Sequence, residues 1–231
     1  MTPRLEVVAV DTFMVRLFER IDPDNMPWLL AATRQVSTVL AGHVIDLVPS
    51  YTTLMIQTDL PPTQARRLIE QALSDLRPDA QANGRRHEIP VWYDPQVGPE
   101  LDVIAARAGL SREAVIALHS GADYPVFALG FAPGFGFMGL VDERLASPRL
   151  STPRQRVAAG SVGIAERQTA AYPAVSPGGW NLIGRTPVAL FDRHREGYSL
   201  LQPGDRVRFI AIDHARFLAL GGDDTPLEAT P

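Results

Sequence analysis

The chain has 231 residues, of which 45% are hydrophobic and 21% are charged, a globular composition sufficient for one large domain or two small ones. A formal net charge of -4, with no block of five like charges, argues against a nucleic-acid or anionic-membrane surface. There is no cysteine and all 22 basic residues are arginine, which excludes thiol nucleophiles, thiolate metal sites, Schiff-base lysines and a lysine-containing phosphate loop.

The N-terminal residues do not resemble a targeting segment, since Glu6 and Asp11 interrupt their apolar stretch. No apolar run in the sequence approaches the length of a membrane span. We therefore expect a cytoplasmic protein that acts without a membrane or a nucleic acid.

Alternating and helical apolar patterns in the first part of the chain predict the element order βαββαβ. In chain order the predicted elements are a strand at 11–17, a helix at 29–40, strands at 43–48 and 52–56, a helix capped by Thr63 that extends to residue 76, a turn at Asn83-Gly84 and a strand at 87–92. This order is that of the ferredoxin-like fold, so we predict an α+β protein whose ferredoxin-like domain spans residues 1–85.

A linking strand and a helical pair are predicted for residues 86–123. Gly109 is expected to end the first helix of the pair, and Ser111 to cap the second helix, which runs to His119.

The stretch from residue 124 to 212 has short apolar runs separated by turns and contains 11 of the 18 glycines, a pattern typical of a small β-barrel. A frayed C-terminal tail is predicted for residues 213–231.

Several partial motifs favour structural roles over catalytic ones. Gly134–Gly139 matches GxGxxG, but the helix and the acidic residue of a dinucleotide site do not follow it. Ser161 sits in a near match to a nucleophile elbow that lacks the first glycine. The five histidines have no metal-ligand spacing, so no metal site is predicted, and His119 is either a helix-end residue or a general base.

Residues 176–187, with the sequence SPGGWNLIGRTP, form the strongest constellation. Gly178 and Gly179 can point their N–H groups at an anion, and Arg185 can add a bidentate donor. Trp180 offers a flat wall, and polar groups lie upstream at Gln168, Thr169 and Tyr172. The alternative interpretation is a β-turn with a packed tryptophan and a surface ion pair, and residue types alone leave both open.

At these residues the chain resembles a known family, the B-type subunit of 5-oxoprolinase, whose relatives are called allophanate hydrolase subunit 1 and the kinase inhibitor KipI. The matching pieces are GFAPGF at 130–135, Gly139, Pro148-Arg149, TPR at 152–154, AGSVGIA at 159–165, Gln168-Thr169, Tyr172-Pro173, residues 176–187, Leu190-Phe191 and PGDRVRF at 203–209. The N-terminal half matches more loosely, at 46–51 and 88–91.

The resemblance implies a cyclophilin-like β-barrel at residues 124–212 behind a ferredoxin-like domain. It also implies two partner proteins of the 5-oxoprolinase complex, a carboxyltransferase-type partner known as the C component and a further partner known as the A component. The reaction of that family is 5-oxo-L-proline plus ATP and water giving L-glutamate, ADP and phosphate. ATP, with or without Mg²⁺, is expected to bind in the assembled complex.

On this basis two groups of site residues are predicted. The catalytic group is Arg154, Gln168, Thr169, Tyr172 and Arg185. The group that binds substrate or anion is Gly160, Ser161, Pro177, Gly178, Gly179 and Trp180. The two arginines are expected to face anionic groups, while Gln168, Thr169 and Tyr172 orient the amide.

The chain departs from the family pattern near these residues. It has Glu166-Arg167 and Ala170-Ala171 where glycine-containing pairs are usual, and Gly136 where proline is common. These departures bear on the identity of the substrate more than on the fold.

Two alternative functions remain open. One is the carboxyltransferase subunit of a urea- or allophanate-type system, which would depend on biotin carried by a separate chain. The other is a non-catalytic KipI-like inhibitor that docks on a histidine kinase. The concentration of polar and glycine residues between Gln168 and Arg185 favours an enzyme, because a docking surface would need exposed aromatic residues.

Overall fold

The structure, a computed structural model, describes residues 3–79 and 84–227. The chain divides after Gly84 into two compact units. Asn83, half of the predicted turn at Asn83-Gly84, lies outside the described residues.

The N-terminal unit is an antiparallel sheet with two helices. Its elements are β1 (Arg4–Ala9), β2 (Thr12–Arg16), α1 (Met26–Val39), β3 (Val44–Ser50), β4 (Thr53–Thr58) and α2 (Pro62–Leu73). The strand order is β1-β2-β4-β3. Phe13 and Val15 of β2 and Leu54 and Ile56 of β4 are fully buried, because alternate residues of a strand share one face.

The predicted βαββαβ order is wrong, so the ferredoxin-like arrangement is not confirmed. The described order of this unit is ββαββα, and residues 87–92, predicted as its last strand, belong to the other unit. Strand β1 was not predicted because almost all of its residues are exposed, so no apolar alternation marks this edge strand. Thr63 does not cap α2, which begins one residue earlier, at Pro62.

The C-terminal unit contains nine strands and three helices among its described residues. They are β5 (Arg86–Trp92), α3 (Leu101–Ala108), α4 (Arg112–Ser120), β6 (Asp123–Leu129), β7 (Gly136–Gly139), β8 (Arg154–Val157), β9 (Ser161–Ala165), β10 (Gln168–Ala171), β11 (Ser176–Gly178), β12 (Asn181–Arg185), β13 (Arg206–Ile212) and α5 (His214–Ala219).

Seven of these strands close into a barrel in the order β10-β7-β6-β13-β5-β12-β9, and β8 pairs with β11 beside it. The predicted barrel is therefore confirmed, but it also includes β5. This strand runs parallel to β13, with Arg86 opposite Arg206 and Trp92 opposite Ile212, so residues 86–92 are part of the barrel rather than a link to it.

The predicted helical pair is confirmed with its caps. Gly109 follows α3 with φ of 65°, a left-handed conformation that glycine adopts without steric cost. The hydroxyl of Ser111 accepts a hydrogen bond from the backbone N–H of Ala114 at the start of α4. Leu101, Ile104 and Val115 of these helices pack into the apolar core of the barrel.

The prediction of a frayed tail over residues 213–231 is wrong for His214–Ala219, which form α5. The Asp213 side chain caps α5 by accepting from the N–H of Arg216, and Phe217 of this helix is fully buried against Trp92, with ring centroids 5.3 Å apart. The aspartate cap and the glycines after Leu220 were available as sequence signals for this short helix.

None of the helices in the described ranges is both long and apolar enough to span a bilayer.

Candidate functional site

An aromatic cavity of about 180 Å³ lies in the C-terminal unit, beside the β8–β11 pair. We call it the aromatic pocket. It is lined by Phe131, Phe135, Phe137, Arg149, Tyr172, Gly178, Gly179 and Trp180.

Edge-to-face packing holds the walls of the aromatic pocket in place. The ring of Phe135 meets that of Tyr172 at 79° with centroids 5.3 Å apart, and that of Trp180 at 87° and 5.7 Å. These three side chains are buried, whereas Phe131 is 64% exposed at the mouth of the pocket. Because the inner walls are fixed by mutual packing, the pocket is formed without a ligand.

Phe131 occupies an unfavourable backbone conformation. Its φ is 68°, in the left-handed region that costs energy for any residue with a Cβ. The strain places the ring against Phe135, with centroids 5.2 Å apart. Strain of this kind concentrates at ligand-binding sites, where the surrounding structure enforces it.

Gly178 is required by the close approach of β11 to Tyr172. A Cβ at position 178 would lie 2.3 Å from the phenolic oxygen, nearer than any side chain could tolerate. At Gly179 the nearest atom would be 3.6 Å away, an ordinary contact. The first glycine of the pair is therefore a steric necessity for the pocket, and the second is not.

The polar groups of the aromatic pocket are few. Arg149 is exposed, its guanidinium lies 6.0 Å from the centroid of the Trp180 ring, and no ion pair involves it among the described residues. Burial raises the pKa of Tyr172, while the charges of Arg149 and Arg154 act against this shift. The phenol is therefore a protonated donor at neutral pH, next to a free guanidinium.

Arg154, predicted to face an anionic ligand, is instead paired with a residue of its own chain. Its guanidinium forms a buried ion pair with Glu100, whose other carboxylate oxygen accepts from the backbone N–H of Leu182 at 2.8 Å. Arg154 also lies opposite Gly178 in the β8–β11 pair. It therefore supports the strand that forms one wall of the aromatic pocket.

Thr169 belongs to a buried hydrogen-bonded chain. Its hydroxyl donates to the carbonyl of Gly163 at 3.1 Å and accepts from Nε2 of His119 at 2.8 Å. Nδ1 of His119 accepts in turn from the phenol of Tyr93 at 2.7 Å. Burial lowers the pKa of His119 to about 3, so the imidazole is neutral and carries no helix-end charge. Because both ring nitrogens are hydrogen-bonded and the side chain has no exposed surface, His119 is not placed to take a proton from a substrate.

Gln168 and Arg185 do not line the aromatic pocket. Gln168 is half-buried in β10, paired with Gly139 and Ala165. Arg185 is buried in β12, where Nη1 donates to the backbone carbonyls of Asp223 and Thr225. Of the predicted catalytic group, the aromatic pocket therefore contains only Tyr172, and Gln168 and Arg185 do not share a cavity with it there.

Of the residues predicted to bind substrate or anion, Gly178, Gly179 and Trp180 line the aromatic pocket, and Pro177 is exposed beside it. Gly160 and Ser161 lie next to Arg185 instead: Ser161 is its cross-strand partner, and a Cβ on Gly160 would be 3.3 Å from Cγ of Arg185. The structure thus separates the predicted residues into two groups.

Four residues of the aromatic pocket, Phe131, Phe135, Phe137 and Arg149, were not predicted from the sequence. Phe131, Phe135 and Arg149 lay within the pieces that carried the family resemblance, which was the available signal. Aromatic residues next to glycines also fit a packed turn, so residue type alone does not separate Phe131 and Phe135 from structural residues.

Among residues 3–79 and 84–227, no three histidine or acidic side chains cluster in a way that could hold a metal ion.

Residues 3–201 match the model of the family described as "Carboxyltransferase domain, subdomain C and D". A Bacillus subtilis protein that carries the name of the B-type subunit of 5-oxoprolinase is 36% identical over 229 residues, covering 94% of this chain and 95% of its own length. A protein of the same name from Escherichia coli O157:H7 is 42% identical over 170 residues, covering 73% of this chain and 78% of the relative. The chain belongs to the family of B-type 5-oxoprolinase subunits.

The fold of this family also occurs in a larger enzyme. The crystal structure of the urea carboxylase of Kluyveromyces lactis matches 97% of this chain with a TM-score of 0.75. The two sequences are 17% identical, and the matched region covers 23% of the urea carboxylase chain. This likeness supports the mixed α/β architecture with its closed barrel.

Proposed function

We propose that this chain is a subunit of an ATP-dependent 5-oxoprolinase, which converts 5-oxo-L-proline, ATP and water into L-glutamate, ADP and phosphate together with partner subunits. The observation that carries this proposal is the 36% identity, along 94% of the chain, to a relative named as the B-type subunit of 5-oxoprolinase. No catalytic activity is assigned to the chain alone.

The aromatic pocket has the chemistry to hold the substrate. 5-Oxoproline is a flat lactam ring that bears one carboxylate, so its apolar faces suit the walls formed by Phe135, Tyr172 and Trp180. The free guanidinium of Arg149 suits the carboxylate, because arginine binds carboxylates through two parallel N–H bonds. The phenol of Tyr172 and the backbone N–H of Gly179 would orient the amide.

The role of this chain would be to bind and orient the lactam. ATP would supply the phosphoryl group that activates the poorly electrophilic amide. Stabilising a triphosphate takes several cationic groups or Mg²⁺. Of the described residues that line the aromatic pocket, Arg149 alone is cationic. Arg154 lies opposite Gly178 but is paired with Glu100, and the chain has no lysine. We therefore assign the ATP phosphates to a partner protein in the assembled complex.

The partners we propose are the carboxyltransferase-type C component and the A component of 5-oxoprolinase, as the family resemblance implies. We also assign the barrel to the cyclophilin-like class and the protein to the cytoplasm, where ATP and free amino-acid derivatives are available.

The test is co-expression of this chain with the C and A components from its own source. ATP-dependent release of L-glutamate from 5-oxoproline is expected from the complete complex and from no preparation that lacks this chain. The same complex is then assayed with urea or allophanate in the presence and absence of a biotin-carrier protein. Biotin-dependent turnover of those substrates, without release of glutamate, would overturn the proposal in favour of a carboxyltransferase.

A further inference from the structure

Arg185 is a buried cation with an incomplete set of hydrogen-bond partners. Its side chain is 1% exposed, in a strand whose five residues are all buried. Nη1 donates to the carbonyl oxygens of Asp223 at 2.6 Å and Thr225 at 2.8 Å. Within the described part of the chain, Nε and Nη2 have no partner.

The unpaired edge of this guanidinium has a definite chemical preference. Nε–H and one N–H of Nη2 point the same way, and this pair is one of the edges by which arginine binds a carboxylate or a phosphate with two bonds. Three of the five N–H donors of Arg185 thus have no acceptor among the described residues, and two of them form such a fork.

A second unsatisfied donor lies next to Arg185. Ser161 of β9 is its direct partner across the strand pair, so the two side chains share a face of the sheet. Ser161 is fully buried, and its hydroxyl has no partner among the residues that the structure describes. Buried polar groups are nearly always hydrogen-bonded, so an acceptor placed between these two neighbours would be stabilised.

No carboxylate of the described residues pairs directly with Arg185. The nearest contributors are Asp223 and Asp224, but the carboxylate of Asp223 accepts from the N–H of Thr225 at 2.9 Å, and that of Asp224 pairs with His214 at 2.8 Å. Burial accordingly lowers the pKa of Arg185. A buried guanidinium without a counter-charge favours an acceptor that carries a negative charge.

A segment that could move aside covers this position. Residues 223–227, which we call the C-terminal strap, follow α5 and contain no helix or strand. Apart from Arg185, the strap is held by a hydrogen bond of 2.7 Å from the side chain of Gln96 to the carbonyl of Asp224 and by the pair of His214 with Asp224. At its end, the half-buried Leu227 packs against the apolar cluster that contains Tyr172 and Trp180. Gly221, with φ of 83°, provides a turn just before it.

We propose that Arg185 and Ser161 form a second binding site, for an oxyanion of the carboxylate or phosphate type, which the C-terminal strap closes. The strap carbonyls occupy Nη1 in the closed state and leave the Nε–Nη2 edge for the ligand. Neither Arg185 nor Ser161 lines the aromatic pocket, and the proposal does not depend on the 5-oxoprolinase reaction.

The test is calorimetric titration with inorganic phosphate and, separately, with acetate. It uses the full chain and a chain that ends at Gly222 and so lacks the strap. We expect saturable binding of at least one anion, at least ten-fold tighter in the shortened chain, since no segment has to move aside before the anion can enter. The anion that binds identifies the ligand as phosphate-type or carboxylate-type.

Arg185→Met should abolish this binding and Ser161→Ala should weaken it. Arg156→Met, at an exposed arginine of β8, should leave it unchanged. A full-length Gln96→Ala variant repeats the test without a truncation, because it loses only the bond to the Asp224 carbonyl. If neither anion binds to the shortened chain or to Gln96→Ala, or if binding persists in Arg185→Met, the proposal is wrong.

Discussion

Tyr93 donates its phenolic hydrogen to Nδ1 of His119 across 2.7 Å, in a part of the barrel core where the imidazole has no exposed surface. Thr169 accepts from the opposite ring nitrogen. Both nitrogens of a neutral imidazole are thereby used, one as acceptor and one as donor. A protonated His119 would have two donors facing a phenol that needs an acceptor.

The buried state of His119 makes stability depend on pH. Its pKa is lowered from 6.5 to about 3, so between these values the unfolded chain binds a proton that the folded chain does not. Stability is therefore lost as pH falls from 6.5 towards 3. From pH 7 to 5 the loss from this residue is about 2 kcal/mol.

Urea unfolding of the wild type and His119→Gln at pH 7 and pH 5 checks this dependence. The variant should be less stable at pH 7, because its amide cannot reproduce both hydrogen bonds, but it should lose less stability on acidification. Equal losses in the two proteins would show that another group is responsible.

Gly178 and Gly179 should respond differently to alanine. Gly178→Ala forces a methyl group against the Tyr172 hydroxyl, and such overpacking costs about 1–3 kcal/mol. Gly179→Ala meets no atom nearer than 3.6 Å and should be close to neutral. Thermal unfolding of the two variants measures the difference, and similar melting temperatures would contradict the steric argument.

The ion pair of Glu100 with Arg154 should be worth far more than an exposed pair nearby. Glu100→Gln leaves the guanidinium buried without its counter-charge, and removing one partner of a buried pair costs about 3–5 kcal/mol. Asp102, two residues after Glu100, forms an exposed ion pair with Arg112. Asp102→Asn breaks that pair and should have no measurable effect on stability. Denaturant unfolding of both variants provides the comparison, and the prediction fails if the two lose equal stability.

Replacing Phe131 should affect substrate binding more than stability. Replacing it with glycine relieves about 1–2 kcal/mol of left-handed strain but loses ring contacts worth about 0.5–1.5 kcal/mol. Stability should change little, while KM for 5-oxoproline rises in the assembled enzyme because one wall of the aromatic pocket is gone.

Tyr198→Gly is the matched control for Phe131→Gly. Tyr198 has φ of 62° and is 59% exposed, but it does not line the aromatic pocket. Its replacement should leave KM unchanged. An equal rise in KM in both variants would mean that Phe131 acts through general loosening rather than through contact with the substrate.

Arg149 should act mainly on substrate binding. Arg149→Met keeps the apolar stem over Trp180 and removes the charge, so KM for 5-oxoproline should rise roughly ten- to hundred-fold, the value of a charged hydrogen bond. Arg156→Met is the control for the loss of a positive charge. Steady-state kinetics of the assembled complex measures both, and an unchanged KM in Arg149→Met would remove this residue from the site.

The sequence predicted individual helices and strands better than it predicted which strands pair with one another. The run 87–92 was identified as a strand from its composition, but apolar patterning cannot show which strand pairs with it. Its parallel partner β13 starts 120 residues later, at Arg206 opposite Arg86. The same limit explains why a strand of the barrel was assigned to the N-terminal domain.

The sequence predicted which site residues lie together only where those residues are close in the chain. Tyr172, Gly178, Gly179 and Trp180 lie close in sequence and do come together. Arg185 lies five residues beyond Trp180, but its guanidinium is held by the carbonyls of Asp223 and Thr225, near the other end of the unit. A cationic side chain in a fully buried strand runs against the usual preference of arginine for water, so residue type alone pointed to an exposed position.

The pairing of β5 with β13 has a consequence for biosynthesis. The barrel closes through β5, the first strand of the C-terminal unit to be synthesised, and β13, the last. A ribosome must therefore extend the chain to about residue 212 before the barrel is complete. Until then β5 has a bare hydrogen-bonding edge, which is available to other nascent chains. Contacts between residues so far apart in sequence form slowly, so synthesis of this unit should depend more on chaperones than synthesis of the first 84 residues.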